Sequence, residues 1–386
     1  MLLILLISCF IELSSSNRTV LNRLYKNIFE NYNPDVRPII NASAAVNVDI
    51  LLSLQSIGKL ESSSETLVAS IWIMLTWKDD LLVWNKTDYE EIEHITIPAK
   101  RVWVPDLYIE KSISIQSGIL KPGDYILSVD NNGTVVWYIG RTTEIHCKMN
   151  LGKFPFDTQT CSIILLQWAS KASEVRLLKS DISSPILYEA SGTWSLENSS
   201  ITEEFVYGNT QNQITLRISL SRYPLFYVLT IILPICLLAI LNPVVFLVPV
   251  ESGEKISLPV SILLAYTVTL SALSELLPEV SENISILGVY VCTMLCLKVV
   301  SVVAAVGAVS LYHRSRTVPR DGVYHWLAKK GRRGNKSNNV HAIGENIDEE
   351  IISWQDVSRA FDRIMFYVIC IVALLISFVC AAFIFK

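Results

Sequence analysis

The segment Cys147–Cys161 reads CKMNLGKFPFDTQTC, and its end residues are the only cysteines in the long stretch between the N-terminal segment and the first apolar block. A secreted domain with a single pair of cysteines is expected to join them. We therefore predict a Cys147–Cys161 disulfide in an extracellular domain. The other cysteines lie in apolar segments: Cys9, Cys236, Cys292, Cys296, Cys370 and Cys380.

Several features of the same half of the chain indicate the secretory pathway. Residues 1–16 have an apolar core followed by small polar residues, which predicts a signal peptide; a retained N-terminal anchor is the alternative. Glycosylation sequons are common by chance, but their number here favours lumenal exposure. They begin at Asn17, Asn41, Asn85, Asn132 and Asn198.

Short alternating runs flank the cysteine segment on both sides, from Ile39 to Arg222. They lie at residues 46–49, 67–77, 125–129, 134–138, 162–167 and 214–220, and Asp130-Asn-Asn-Gly133 between two of them is typical of a hairpin turn. Residues 20–31 show helical spacing instead, ended by Asn33-Pro34. The pattern predicts an all-β, immunoglobulin-like extracellular sandwich over residues 17–222, with an N-terminal helix.

Four apolar segments follow, each long enough to cross a bilayer: 225–248, 256–277, 284–311 and 364–385. A signal peptide places the first half outside, so four spans return the C-terminus to the outside. Residues 312–360, rich in Lys and Arg, are then cytoplasmic, as the positive-inside rule requires. We predict three spans within 223–311, a cytoplasmic loop with an amphipathic helix over 312–360, and a fourth span over 361–386, together forming a four-helix transmembrane bundle.

The second span, taken as a pore helix over residues 254–277, carries a polar stripe. Its members recur at steps of three and four residues and share one helical face: Glu254, Ser257, Ser261, Leu264, Val268, Ser271 or Ala272, and Glu275. Several copies around an axis would form a pore with acidic rings, which select cations, and an apolar constriction. Two alternatives to a pore remain open. The charges at the two ends of the stripe could only mark the membrane interface, and its hydroxyl groups could form hydrogen bonds between helices.

Other classes of function find little support. The net charge of −4 comes from mixed signs and gives no argument for a nucleic-acid partner. The five histidines are scattered, and neither a metal-ligand spacing nor a phosphate loop is present. We therefore expect no catalytic site, no metal and no cofactor.

The cysteine segment, with Phe154-Pro155-Phe156-Asp157 inside it, resembles the signature of the Cys-loop receptors, the pentameric ligand-gated ion channels. Similar landmarks occur in order along nearly the whole chain: Trp77-Lys-Asp79, Trp103-Val-Pro-Asp106, Asn132-Gly-Thr-Val-Val-Trp137, Arg222, Ser252-Gly-Glu-Lys255 and Asp362-Arg363. The Gly-Glu-Lys stretch resembles the cation-selective nicotinic acetylcholine and serotonin type-three branch. The resemblance implies a homo- or hetero-pentamer with agonist sites at subunit interfaces.

The resemblance also implies roles for individual residues. Trp168 matches the central tryptophan of the agonist site, and Trp72 matches the one supplied by the neighbouring subunit; core packing is the alternative for both. Glu110 stands where the relatives have Tyr or Asn. Residues 203–213 lack the paired cysteines of nicotinic α subunits and offer Phe205 and Tyr207 as their aromatics. Gating contacts are implied for Phe154, Pro155, Phe156, Glu61 and Arg222, acting on the connection that begins at Pro278.

The sequence thus predicts a plasma-membrane subunit of a cation channel that is opened by a small extracellular amine and surrounded by membrane lipid, with monovalent cations as the permeant species. An orphan or auxiliary subunit, which needs partner subunits or another stimulus, is the alternative that the incomplete 203–213 segment supports. A non-conducting adhesion or ligand-binding protein is a third reading, and the polar stripe argues against it.

Overall fold

The computed structural model describes residues 18–114, 119–121, 123, 125–181, 188–208, 210–278, 284–314, 322, 323, 326 and 353–384. These residues belong to two compact units. The first comprises Met1–Met149 and Thr158–Ser221, and the second comprises Asn150–Asp157 and Arg222–Lys386. The predicted signal peptide and most of the predicted cytoplasmic loop lie outside the described residues.

The first unit is the predicted β-sandwich, preceded by helix α1 over residues 18–29. Its strands are β1 Val46–Glu61, β2 Thr66–Lys78, β3 His94–Pro98, β4 Leu107–Glu110, β5 Ile126–Asp130, β6 Thr134–His146, β7 Thr158–Gln167, β8 Val175–Lys179, β9 Trp194–Val206 and β10 Gln211–Arg222. A six-stranded sheet has the order β3-β5-β6-β2-β1-β8, and a four-stranded sheet has the order β4-β7-β10-β9.

Alternation of apolar residues builds the sandwich core. β1 and β2 pair antiparallel, with Ile50 opposite Leu75 and Leu52 opposite Ile73, and all four side chains are buried. Because successive side chains of a strand point to opposite faces, this register sends one face of each strand to the core. The buried Asn212 of β10 then links the two sheets, since its Oδ1 accepts the N–H of Leu177 on β8 at 3.1 Å.

The disulfide predicted from the cysteine segment is present. Cys147 and Cys161 are joined, with their Cα atoms 5.4 Å apart, and both are buried. The bond ties the end of β6, in the six-stranded sheet, to β7 in the four-stranded sheet.

A buried carboxyl lies under the N-terminal segment of the first unit. The hydroxyl of Tyr32 donates to Oδ2 of Asp79 at 2.7 Å and accepts the backbone N–H of Trp103 at 2.9 Å. Oδ1 of Asp79 accepts the N–H of Leu81 at 2.9 Å. Asp79 is fully buried, and that burial raises the pKa of its carboxyl to about 6.

The second unit contains four helices that are long and apolar enough to cross a membrane: α2 Leu225–Leu247, α3 Ser257–Leu276, α4 Ile286–Tyr312 and α5 Trp354–Ile384. α2 is irregular, with a π-helical stretch over Val228–Ile232 that ends two residues before Pro234. Proline lacks an N–H and crowds the preceding turn, so a wider turn at this point accommodates it. α5 is continuous, so the predicted boundary at 360/361 falls inside a single helix.

The predicted pore helix begins later than expected. α3 starts at Ser257, so Glu254 precedes the helix rather than lying on it. A short 3-10 turn over Val250–Ser252 ends at Gly253 with φ 73°, and this positive φ breaks the helical path. The prediction that residues 254–277 form one helix was wrong at its N-terminal end.

Two buried lysines of the second unit differ in their surroundings. Nζ of Lys255, just before α3, lies 2.5 Å from Oδ2 of Asp362 on α5 and donates to the carbonyl of Val248 at 3.1 Å. Lys298 on α4 is also fully buried, but its Nζ has no hydrogen-bond partner among the residues that the structure describes.

Candidate functional sites: an aromatic cavity and an exposed helix stripe

A cavity of about 520 Å³ opens at one end of the four-stranded sheet. It is formed by the end of β4, the segment after β7 and the tip between β9 and β10. Its walls include Tyr108, Glu110, Trp168, Lys171 and Tyr207. Three residues that the sequence assigns to ligand binding, Glu110, Trp168 and Tyr207, are therefore brought together in one place.

Two aromatic rings dominate the cavity. The ring centroids of Tyr108 and Trp168 lie 4.8 Å apart with a tilt of 57°. Trp168 is 53% exposed, which excludes the alternative that it is a core residue. An exposed Trp beside a Tyr offers two electron-rich faces to a cation.

Asp106 fixes the segment that carries Trp168. Its carbonyl accepts the N–H of Trp168 at 2.9 Å, and its Oδ2 accepts the N–H groups of Ala169 at 2.7 Å and Ser170 at 3.2 Å. Oδ1 accepts the Ser170 hydroxyl at 2.7 Å. Charge-assisted bonds of this kind are the strong ones, so this short loop is held against the start of β4.

The cavity has one acidic and one basic side chain in its wall. Glu110 is half-buried and Lys171 is exposed. Among the described residues, neither side chain makes a hydrogen bond or an ion pair. The backbone of Glu110 is fixed by pairing with Ile164 on β7, so the position of its carboxylate follows from the sheet.

The tip between β9 and β10 contributes only one of its two predicted aromatics. Tyr207, at φ 53° and 67% exposed, lines the cavity, and the hydroxyl of Thr210 donates to its carbonyl at 2.7 Å. Phe205 does not line the cavity; it lies under the guanidinium of Arg176, 5.6 Å from the ring centroid. Alternation along β9 directs it to this neighbour instead, so the assignment of Phe205 to ligand contact is not supported by the fold.

Trp72 lies on β2, in the other sheet, opposite Gly140 of β6. Its side chain is 42% exposed, so core packing is excluded for this residue too. A Cβ at Gly140 would come within 3.3 Å of the Trp72 ring, so this glycine leaves room for the indole to lie flat on the sheet. Trp72 is thus exposed on the surface of the other sheet and does not line the cavity beside Trp168.

The stripe on α3 points away from the helices of its own chain. Ser257, Ser261, Leu264, Val268, Ser271 and Glu275 are all exposed, with Leu264 at 65% and Val268 at 62%. The opposite side of the helix is buried through Pro259, Ile262, Tyr266 and Leu273. Glu254 is exposed in the link before the helix, and the Ser257 hydroxyl donates to its carboxylate.

The loop 150–157 is bound tightly to the start of the transmembrane helices. Asp157 and Arg222 form a buried ion pair with contacts of 2.8 and 3.1 Å. The guanidinium of Arg222 also lies over the rings of Phe154, at 5.0 Å, and Tyr227, at 5.2 Å. The two rings meet edge to face at 5.1 Å. The peptide between Phe154 and Pro155 is cis.

The same loop reaches the beginning of α4. The carbonyl of Gly152 accepts the N–H of Ile286 at 3.1 Å. Phe156 lines an apolar cavity of about 510 Å³ together with residues of α2, α4 and α5. Of the predicted coupling residues, Pro278 is half-buried two residues after α3, and residues 279–283 lie outside the described residues. Glu61 is a half-buried residue of the first unit whose carboxylate lies 2.8 Å from Nζ of Lys59.

The sequons are accessible where the structure describes them. Asn41, Asn85, Asn132 and Asn198 are exposed, and Asn17 lies outside the described residues. At Asn41, Asn85 and Asn132 the side-chain oxygen accepts the N–H of the Ser or Thr two residues later. The amide nitrogen of each side chain is left for modification.

Comparison with known families agrees with this architecture. Residues 21–224 match the neurotransmitter-gated ion-channel ligand binding domain, and residues 231–334 match the neurotransmitter-gated ion-channel transmembrane region. The chain belongs to the Cys-loop receptors, the neurotransmitter-gated ion channels. Members of this family are multi-pass plasma-membrane receptors and not enzymes, and the four apolar helices fit that location.

Individual Cys-loop receptor subunits are similar over most of this chain. The acetylcholine receptor subunit beta-type acr-2 of Caenorhabditis elegans is 31% identical over 76% of this chain and 51% of its own length. The neuronal acetylcholine receptor subunit beta-2 of Carassius auratus is 30% identical over 74% of this chain and 62% of its own length. The neuronal acetylcholine receptor subunit alpha-9 of Rattus norvegicus is 27% identical over 81% of this chain and 65% of its own length. The chain thus spans about half to two thirds of the length of these relatives.

Sequence reasoning missed one residue that lines this Cys-loop receptor cavity, Tyr108, and one that positions its Trp168 segment, Asp106. Tyr108 lies two residues before Glu110 on β4, and the period of a strand alone places both side chains on one face. Asp106 was noted only as a landmark, because its bonds to residues 168–170 join segments far apart in the chain. Two other landmarks, Lys255 and Asp362, turn out to be partners of each other.

Proposed function

We propose that this chain is a subunit of a pentameric channel of the plasma membrane that conducts monovalent cations and is opened by a small extracellular amine bound between subunits. The observation that carries the proposal is the stripe of α3. It is exposed in the isolated subunit from Ser257 to Glu275, although the helix is apolar enough to lie in a membrane. If several copies of the helix surround a water-filled pore, the polar residues of this stripe face water and not lipid.

The chemistry of the stripe favours cations. The hydroxyl of Ser261 donates to the carbonyl of Ser257 at 2.9 Å, within the helix itself, so its oxygen presents lone pairs outward. Carboxylates at Glu254 and Glu275 would form acidic rings at the two ends, and rings of this kind admit cations. Leu264 and Val268 between them form an apolar constriction suited to gating by dewetting.

The cavity beside Trp168 favours an amine as the opening ligand. Attraction of a cation to an aromatic face amounts to about 2 kcal/mol when the pair is desolvated. Tyr108 and Trp168 supply two faces from one subunit, and Trp72 supplies a third from the neighbour. The complete site then forms only where the Tyr108–Trp168 pair of one subunit faces Trp72 of the next.

The proposed topology follows from the four spans. Residues 17–222 and the C-terminus lie outside, and residues 312–360 lie in the cytoplasm. The outer face of α5 is strongly apolar, with Leu374 at 69% and Phe378 at 73% exposed, and it contacts membrane lipid. The contacts of loop 150–157 with Arg222 and Ile286 transmit ligand binding to the pore.

The decisive experiment is the reversal potential of agonist-evoked current with sodium and chloride exchanged separately. We expect the potential to follow sodium, and Glu254→Gln and Glu275→Gln to weaken that selectivity. Glu197→Gln, at an exposed position of β9, is the matched control and should leave it unchanged. A potential that follows chloride would overturn the cation assignment. Currents that require a co-expressed nicotinic-type subunit would identify the chain as an auxiliary subunit.

A further inference from the structure

We propose that the agonist is an amine with at least one N–H on its charged nitrogen, and that Glu110 selects it over quaternary ammonium compounds. The inference rests on the proposed amine site and names the chemical class that this site takes. It concerns a position where the related receptors carry neutral residues.

The carboxylate of Glu110 is well placed for this role. It lines the same cavity as the Tyr108–Trp168 pair, and both Glu110 and Tyr108 extend from one face of β4. No described residue bonds to its side chain. A half-buried carboxylate without a partner has lost part of its hydration, and no hydrogen bond within the protein offsets that cost. A ligand that donates a hydrogen bond to it therefore gains the free energy of a charge-assisted hydrogen bond without displacing another partner.

The charge balance of the cavity shows how Glu110 favours cation binding. Lys171 is the other charged side chain in the cavity wall. Without Glu110 the wall would carry a net positive charge, which repels ammonium ions. With Glu110 the two charges cancel, and the acidic group lies on the rigid strand while Lys171 lies on the more exposed segment after β7.

Only an ammonium with an N–H makes full use of this arrangement. A quaternary nitrogen is shielded by its methyl groups and interacts with aromatic faces, but it donates no hydrogen bond. A primary, secondary or tertiary ammonium stacks on the Trp168 face and donates to Glu110 as well. Hydrogen bonds to charged groups contribute enough to change affinity about tenfold or more.

The test compares 2-phenylethylamine with its N,N-dimethyl and N,N,N-trimethyl derivatives on the full-length chain. The dimethyl and trimethyl compounds differ by one methyl group, yet only the first retains an N–H. We would measure the concentration for half-maximal thermal stabilisation of the purified chain, and half-maximal current where current is seen. We expect the trimethyl compound to be about tenfold weaker than the dimethyl compound.

Variants separate this inference from the proposed function. Glu110→Gln should bring the half-maximal concentrations of the dimethyl and trimethyl compounds close to each other. Glu110→Asp, which keeps the charge, should retain part of the difference between them. Lys171→Met should strengthen all three compounds alike, and Glu197→Gln, about 30 Å along β9 from the tip, serves as the control. If binding depends on Trp168 but the difference between the dimethyl and trimethyl compounds is as large in Glu110→Gln as in the natural chain, the role of Glu110 is overturned and the amine site is not. If none of the compounds binds, or if Trp168→Ala has no effect on their binding, the amine site itself is overturned.

Discussion

Arg222 and Asp157 form a buried ion pair in which Nε lies 2.8 Å from Oδ1 and Nη2 lies 3.1 Å from Oδ2. The pair joins the end of β10, where the chain enters the membrane, to the loop that the disulfide closes. Each partner is almost completely shielded from solvent, with side-chain exposures of 3% and 1%. A planar guanidinium is suited to this geometry because it also stacks on Phe154 and Tyr227.

Arg222→Met should destabilise the protein by about 3–5 kcal/mol, because it leaves the Asp157 carboxylate buried without a counter-charge. Arg222→Met combined with Asp157→Leu should recover much of that loss. The melting temperature of the purified chain and the fraction at the cell surface measure both effects. A double variant that is no more stable than the single one would show that the pair is not the source of the loss.

Asp106→Asn should weaken amine binding by about tenfold. The substitution replaces one side-chain oxygen by an NH2 group, which cannot accept hydrogen bonds from residues 169 and 170. The segment that carries Trp168 then loses part of what holds it in place. Asp130→Asn, on β5 of the other sheet, is the control. Equal affinity in Asp106→Asn and the natural chain, measured by thermal stabilisation with 2-phenylethylamine, would contradict the positioning role.

Asp79 should make the stability of the protein depend on pH. Burial raises the pKa of this carboxyl from 3.8 to about 6, so the folded chain holds the proton more tightly than the unfolded chain. The contribution of this group is therefore full at low pH and falls by about 3 kcal/mol as pH rises from about 4 to about 6. Asp79→Asn should remove this fall, seen as the difference between the two melting curves over that range. Parallel curves would contradict the assignment.

The two buried lysines should respond in opposite directions to the same substitution. Lys298→Met should raise stability by about 1–3 kcal/mol, since it removes a buried amine that no described residue bonds. Lys255→Met should lower it by about 3–5 kcal/mol, since it strands the carboxylate of Asp362. Melting temperatures in the same detergent provide the comparison, and a loss of stability in both variants would contradict the distinction.

Much of the fold could be predicted because its signals are local. Alternation in β1 and β2, helical spacing in α1 and the length of four apolar segments each depend on residues close in the chain, and the disulfide followed from the scarcity of cysteines. The boundary at 360/361 divides an amphipathic part from an apolar part of one continuous helix, α5, because both kinds of turn can belong to the same helix.

The site was harder to predict because its contacts join distant segments. Trp168 and Glu110 were placed by resemblance, whereas the bonds of Asp106 and the ring contact of Tyr108 with Trp168 need the pairing of β4 with β7. Phe205 shows a different difficulty: it is close in sequence to Tyr207, but its ring lies beside Arg176 on β8 and does not line the cavity. The start of α3 was misplaced because Lys255 is bound by a residue that lies far along the chain.

The position of Glu254 before α3 has a mechanical consequence under the proposed function. A carboxylate carried by a link is anchored through its neighbour Lys255 to α5, whereas Leu264 and Val268 move with the body of α3. Glu254 is also bonded to the first turn of α3, because the Ser257 hydroxyl donates to its carboxylate and the N–H of Leu258 donates to its carbonyl at 3.1 Å. A rotation or tilt of α3 that widens the constriction therefore pulls on the residue that Lys255 holds to α5, so opening of the gate and the position of this acidic ring are coupled.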